Sequence, residues 1–163
     1  MIEVRELGDA DIKEILARNN FAHLAMAREN VPYVVPIHYG YHDDLIYIFT
    51  TQGKKYEIIS GNPRVCLQIE EVKDTGNWVS VIIDGEAEEL SREEDKERAL
   101  RVITETNPTL TPAMSVRWMD GWIRENISVY YRIMPLLMSG RASVPGSEFR
   151  QTYTPTRTEG KVF

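Results

Sequence analysis

The chain has 163 residues, of which 42% are hydrophobic and 27% charged, and its formal net charge is −6. That length suits one domain with a sizeable buried core. The acidic balance disfavours nucleic acid or an anionic membrane as partner, so any anion site has to be local. A single cysteine, Cys66, excludes an internal disulfide and a CxxC metal pair. The opening MIEVRELGDADIKEIL has neither the basic nor the apolar region of a secretion signal. No apolar run approaches the ~20 residues of a membrane span. The expectation is a soluble cytoplasmic protein.

In chain order, Asp11 and Glu14 with Ile12, Ile15 and Leu16 at helical spacing predict a capped helix over residues 11–19. FAHLAMA (21–27) predicts a strand and RENV a turn. In PYVVPIHYGY (32–41), Tyr33, Val35, Ile37 and Tyr39 share one face, and Val34, Pro36 and His38 the other. Pro36 lacks a ladder donor, which places it at an edge or a bulge. HDD (42–44) reads as a turn and LIYIFTT (45–51) as a strand, so residues 32–51 predict a hairpin. A short helix follows Lys54 and Lys55 through Tyr56, Ile58 and Ile59, and stops at Gly61-Asn62-Pro63.

RVCLQIEE (64–71) and NWVSVIIDGEAEEL (77–90) are strands, with Gly85 marking a bend or bulge in the second. Ser91 and Glu94 form a second capping box before a helix over 92–106. Residues 107–126 read as irregular or partly helical, with Trp118 and Trp122 spaced to share a helical face. ISVYYRIMPLLMSG (127–140) is a last strand interrupted by proline. About six strands joined by tight turns, with two or three helices, predict a mainly β fold, most simply a small antiparallel barrel. Residues 1–141 make the domain. Residues 142–163 make a polar tail that needs a partner subunit or another contact to hold it.

The stretch IYIFTTQGKKYEII (46–59) carries the first chemical signal. Lysines at a helix start oppose the helix dipole, which favours anions there. Thr50 and Thr51 offer hydroxyls, Gly53 lets the backbone approach a ligand, the first helical turn has free N–H groups, and Lys54 and Lys55 add charge. Together they suit a phosphate. The alternative is that both lysines point into water, which costs only about 0.3–1 kcal/mol. Neither GxxxxGK followed by Ser or Thr nor GxGxxG is present.

The order FAHLAMA, PYVVPIHYGY, LIYIFTTQGKK, NPRVCLQI and a long strand ending DGEAEEL resembles the FMN-binding split-barrel proteins related to pyridoxamine 5'-phosphate oxidase. Within them it is most similar to the nitroimidazole-resistance (Nim-type) flavoprotein branch. The resemblance spans residues 5–142. It implies a six-stranded antiparallel split β-barrel, a homodimer, and FMN at the dimer interface. By match, Thr50, Thr51, Lys54 and Lys55 would hold the FMN phosphate, with Phe49 and Gly53 beside them. Backbone groups of Val35, Pro36, Ile37 and His38 would face the polar edge of the isoalloxazine ring. Gln68, Trp78 and Ser80 would approach from the same or the partner subunit. Arg141 reaches the cofactor or the partner chain, or is a surface cation. Such a cofactor needs an anion clamp, a flat wall and donors at the ring, which barrel strands and a dimer groove supply.

The implied activity is transfer of electrons from reduced flavin to a small acceptor, a nitro-aromatic or a quinone. The alternatives are a haem- or deazaflavin-binding relative, or a non-enzymatic flavin-binding or storage protein. His38 is the candidate catalytic residue, as proton donor or substrate holder, against a purely hydrogen-bonded structural role. His23 reads as structural and His42 as solvated, and no carboxylate stands at metal-ligand spacing from a histidine. Trp118 and Trp122 suit core or dimer packing, or a lid over the flavin, with Arg117 and Arg124 flanking. Cys66 reads as a small buried hydrophobe.

Overall fold

Period-two alternation dominates the chain, and the computed structural model, which describes residues 2–108, 117–119, 122–124 and 128–145, is accordingly mostly strand. The elements run β1 Ile2–Glu6, α1 Asp9–Arg18, β2 Phe21–Arg28, β3 Val31–His38, β4 Gly40–His42, β5 Leu45–Thr51, α2 Lys54–Gly61, β6 Arg64–Asp74, β7 Asn77–Glu89, α3 Glu93–Thr106, β8 Arg117–Met119, β9 Trp122–Arg124 and β10 Ser128–Pro145. Eight strands form one antiparallel sheet in the order β3-β2-β6-β7-β10-β5-β4, with β1 added alongside β10. β8 and β9 form a separate two-stranded sheet.

The two ends of that path, β3 and β4, are separated in the chain by one residue, Tyr39. A sheet whose first and last strands are joined through a single residue has to close on itself. Tyr39 is fully buried at this junction. Its N–H donates to Asn20 O at 3.0 Å, its hydroxyl donates to Leu16 O at 2.9 Å, and its carbonyl accepts from Asn107 Nδ2 at 3.0 Å. Inside the barrel pack Leu24, Ile48, Leu67, Ile69, Val81, Ile83 and Ile133, with Ile12, Ile15 and Leu16 of α1 and Ile58 and Ile59 of α2. A second, smaller cluster joins Ala99, Val102 and Ile103 of α3 to Tyr47 and Leu90.

The mainly β class stands, but the main sheet has eight strands rather than six. The hairpin expected over 32–51 does not form: β3 pairs with β2, while β4 pairs with β5. The tight turns are Glu29-Asn30 and Asp43-Asp44, with φ of 52°, 63°, 50° and 61°, the left-handed pair that two-residue hairpin loops require. Pro32 and Pro36 lie on β3, an edge strand of the described sheet, where a missing N–H is tolerated.

Neither expected capping box forms. α1 starts after Gly8 and α3 after Arg92, each without a side-chain cap, and acidic first turns complement the dipole instead. β7 runs unbroken through Gly85. The irregularity lies opposite it, between Pro135 and Leu137 of β10, and a Cβ at Gly85 would stand 2.8 Å from Ile133 Cγ2. Residues 117–119 and 122–124 pair as strands β8 and β9 in place of a helix, with Met119 opposite Trp122, so Trp118 and Trp122 share no helical face. The side chains of both tryptophans, and of Arg117 and Arg124, lie outside the described residues, as do residues 146–163. β10 itself continues to Pro145, pairing with β1, and Ala142 and Ser143 are buried. No helix among the described residues is long and apolar enough to cross a membrane.

Two predictions follow from closure. A Cβ at Gly40 would stand 2.7 Å from Val102 O, so Gly40→Ala should push α3 outward and destabilise by about 1–3 kcal/mol in a denaturant titration. Burial also raises the phenols of Tyr39, Tyr41 and Tyr131 above 10.0, the latter two to about 12. The folded state therefore holds these protons more tightly. Stability should be full below pH 10 and fall as pH rises from there towards 12, because the unfolded chain ionises first. Level stability across that interval in pH-dependent melts would contradict it.

Candidate functional site

β4 and β5 pair with Gly40 opposite Tyr47, Tyr41 opposite Ile46 and His42 opposite Leu45. Continued past Gly40, that register would set His38 opposite Phe49 and Pro36 opposite Thr51. It does not continue, because β3 turns away at Tyr39 to pair with β2. Among the described residues the outer edge of β3 has no strand partner, and neither does the β4 side of β5 beyond Tyr47. The barrel wall therefore opens along a seam. At a rise of about 3.3 Å per residue, the lip from Tyr33 to His38 is roughly 17 Å long.

One lip carries Val35, Pro36, Ile37 and His38. Ile37 is buried and Val35 half-buried, while Pro36 and His38 are exposed. The other lip carries Phe49, Thr50 and Thr51. The Phe49 ring is committed to α3's cluster, 6.2 Å from the Tyr130 ring, so only its backbone borders the seam. Thr50 is buried and its hydroxyl donates to Thr51 O at 3.4 Å; Thr51 is half-buried.

Gly53 precedes α2 and supplies no side-chain cap, so first-turn N–H groups are left to a ligand or water. Lys54 is exposed, with Nζ 4.4 Å above the Tyr33 ring centroid, which ties the start of α2 to the far end of the β3 lip. Lys55 is half-buried. Two cations and an uncapped helix start thus stand at one end of the seam, and His38 stands at the fork.

His38 Nδ1 lies 3.0 Å from Asn107 Oδ1, and its ring meets the Phe21 ring edge-on at 5.5 Å. The structural hydrogen bond expected as one alternative for His38 is present, and the imidazole is exposed as well. Asn107, buried at the C-terminal cap of α3, escaped the sequence reading. Asparagine directly after a helix is a known terminator, and that signal was available.

The remaining expected site residues lie elsewhere on the barrel. Gln68 Oε1 accepts from His23 Nδ1 at 3.0 Å and Gln68 Nε2 donates to Glu70 at 2.9 Å, beside a cavity of about 250 Å³ bordered by Phe21 and Val72. Trp78, Ser80 and Arg141 line a cavity of about 540 Å³ with Glu6, Leu7 and Met138. Arg141 stands directly opposite Ser80 in the ladder, and the Trp78 N–H donates to Ser143 Oγ at 2.9 Å. β2 and β6 separate Trp78 and Ser80 of β7 from the β3 lip, and Arg141 lies on the end of β10 that pairs with β1, while the other end pairs with β5.

Cys66 is half-buried rather than buried, and burial, with Asp84 beside it, pushes its thiol up. His42 is exposed and reaches Asp43 at 3.2 Å. Among the described residues no three His, Cys, Asp or Glu side chains stand together as a metal site.

A closed antiparallel sheet opened along one seam is a split β-barrel. A family model described as pyridoxamine 5'-phosphate oxidase matches residues 8–142, and the chain belongs to that family. It is similar to the solved structure of an FAD-binding protein from Mesorhizobium loti, with 30% identity, a TM-score of 0.71, and coverage of 89% of this chain and 100% of that one. It shares its fold with a candidate 5-nitroimidazole antibiotic resistance protein from Bacteroides thetaiotaomicron, with 20% identity, a TM-score of 0.67, and coverage of 88% and 89%. An uncharacterised protein of Rhizobium meliloti is 34% identical over 87 residues, which are 53% of this chain and 58% of that protein. The chain thus spans little more than half the length of this curated relative.

The Lys54–Tyr33 contact is exposed, so Lys54→Ala should lower unfolding stability by no more than about 1 kcal/mol. A larger loss in urea titration would mean that this contact holds β3 to α2.

Proposed function

We propose that this chain is an FMN-binding homodimer that passes electrons from reduced flavin to a small planar acceptor, a nitro-aromatic or a quinone. The observation that carries the proposal is the seam. It joins an unpaired strand edge, whose amides and carbonyls suit the polar rim of a heteroaromatic ring, to an uncapped helix start with two lysines, which suits a phosphate. The name of the M. loti relative supports a flavin, and that of the B. thetaiotaomicron protein suggests the acceptor class.

When bound, the flavin supplies the electron and hydride chemistry. The chain's own residues position it. Lys55, half-buried, grips the phosphate with the α2 N–H groups, while Lys54 acts from the rim on Tyr33. Val35, Pro36, Ile37 and His38 orient the ring through their backbone, with Pro36 offering only its carbonyl. His38 holds a proton at the fork.

A second copy completes the site. Phe21, Val34, Val72, Ile82 and Leu137 are exposed apolar residues on the barrel strands. A twofold contact over this face would cover them and bring the partner subunit's Trp78, Ser80 and Arg141 to the seam. The cavity and the seam, separate within one chain, would then meet.

The decisive measurement is the visible spectrum after addition of FMN, with chromatography of the cofactor released on denaturation. A flavin spectrum and released FMN are expected, whereas a Soret band on adding haem, without flavin uptake, would overturn the reading. Lys55→Ala should weaken FMN about 10-fold or more, and Lys54→Ala less, as loss of a charge-assisted bond implies. The reverse order would exchange their roles. Anaerobically reduced flavin should reoxidise faster with nitro-aromatics or quinones than without; equal rates would leave a storage protein. Ile82→Lys should yield monomers in sedimentation and release the cofactor.

A further inference from the structure

Asn107 makes hydrogen bonds that leave its amide only one orientation. One terminal atom lies 2.9 Å from Ile103 O and 3.0 Å from Tyr39 O. Two carbonyls can only accept, so that atom is the NH2 group, and the other, facing His38, is the carbonyl oxygen. Oδ1 lies 3.0 Å from His38 Nδ1 and needs a donor there. Asn107 is 4% exposed, so water has little access to replace that donor.

We infer that Asn107 is a positioning residue that holds His38 in the Nδ1-protonated tautomer, so that Nε2 is the nitrogen offered to a ligand in the seam. Free histidine prefers the opposite tautomer, with the proton on Nε2. The fold thus reverses the intrinsic preference at one exposed imidazole. In the neutral state Nε2 carries a lone pair and accepts a hydrogen bond or a proton. Once protonated there, the imidazolium donates from Nε2 while Nδ1–H stays on Asn107.

Two further contacts keep the arrangement in place. The Phe21 ring stands edge-on to the imidazole at 71°, which limits rotation about the side chain's second torsion. The Asn107 backbone N–H also donates to Ile103 O at 3.0 Å, which anchors the residue to the end of α3. The identity of the ligand at Nε2 rests on the flavin proposal; the tautomer does not.

The test is a multiple-bond proton–nitrogen correlation on protein labelled with nitrogen-15 histidine, recorded at a pH where imidazoles are neutral. The spectrum lost in His38→Gln identifies His38 among the three histidines. The expected pattern is a protonated Nδ1 and a bare Nε2. A bare Nδ1, or an averaged pattern, would overturn the inference. In Asn107→Ala, a folded protein should return His38 to the Nε2-protonated pattern, and an unchanged pattern would overturn the role of Asn107. If that variant does not fold, His38→Asn in the unaltered background serves as a second arm. It should lose FMN-dependent nitro-aromatic turnover while keeping FMN affinity, and unchanged turnover would overturn the assignment of Nε2 to the seam. Addition of FMN should move the Nε2 signal and leave Nδ1 in place. FMN that binds without moving Nε2 overturns the ligand-facing half. FMN that fails to bind overturns the flavin proposal and leaves the apo spectrum to decide the tautomer.

Discussion

Tyr39 governs this fold. Up to His38 the chain belongs to β2's side of the sheet, and from Gly40 it belongs to β5's side. One buried residue therefore closes the barrel and, in the same step, separates β3 from β5. Its three hydrogen bonds reach the α1 end, the α1–β2 link and the α3 cap, and Tyr39, Leu16 and Asn107 are buried away from water. Had β3 continued along β5, the wall would be complete and no strand edge would be exposed beside α2. The closure of the core and the opening of the candidate site are one event in the backbone.

The rest of the molecule is arranged around that fork. α1 plugs the interior with Ile12, Ile15 and Leu16, and α3 braces β4 and β5 from outside with a separate cluster. Gly40 permits the close approach of Val102 that this bracing needs. The long strands β7 and β10 carry the far wall, and the irregularity at Pro135 opposite Gly85 lets β10 serve β5, β7 and β1 in turn. The packed clusters thus lie behind the seam, where a bound ring would need a fixed wall.

Charge follows the same division. The chain is acidic overall, and its ion pairs, such as Arg18 with Glu71 and Arg132 with Glu88, tie surface segments together. Among the described residues Lys54 meets the face of Tyr33 and no carboxylate, and it stands next to a helix start without a side-chain cap. A local cationic end in an acidic protein is what a phosphate site requires, since the whole-molecule field works against anions.

Much of this was legible in the residues. The inward row Tyr33, Val35, Ile37, Tyr39 and the outward row Val34, Pro36, His38 follow from the period of a pleated strand, and the edge position follows from a proline that cannot donate. The chemistry of TTQGKK was equally readable, because residue type alone supplies cations and free donors. The pairing of those strands was not. The hairpin over 32–51 was overridden by β2 as the partner of β3, the two capping boxes gave way to helix starts at Gly8 and Arg92, and the pattern around Trp118 formed a local strand pair instead of a helix. Asn107 and His38 are 69 residues apart and meet only because α3 ends against Tyr39. Alternation and residue chemistry are properties of a few neighbouring residues, so the chain carries them before it folds. Which edges pair, where the wall opens and which imidazole nitrogen is held depend on contacts between distant segments, and those exist only once the barrel has closed.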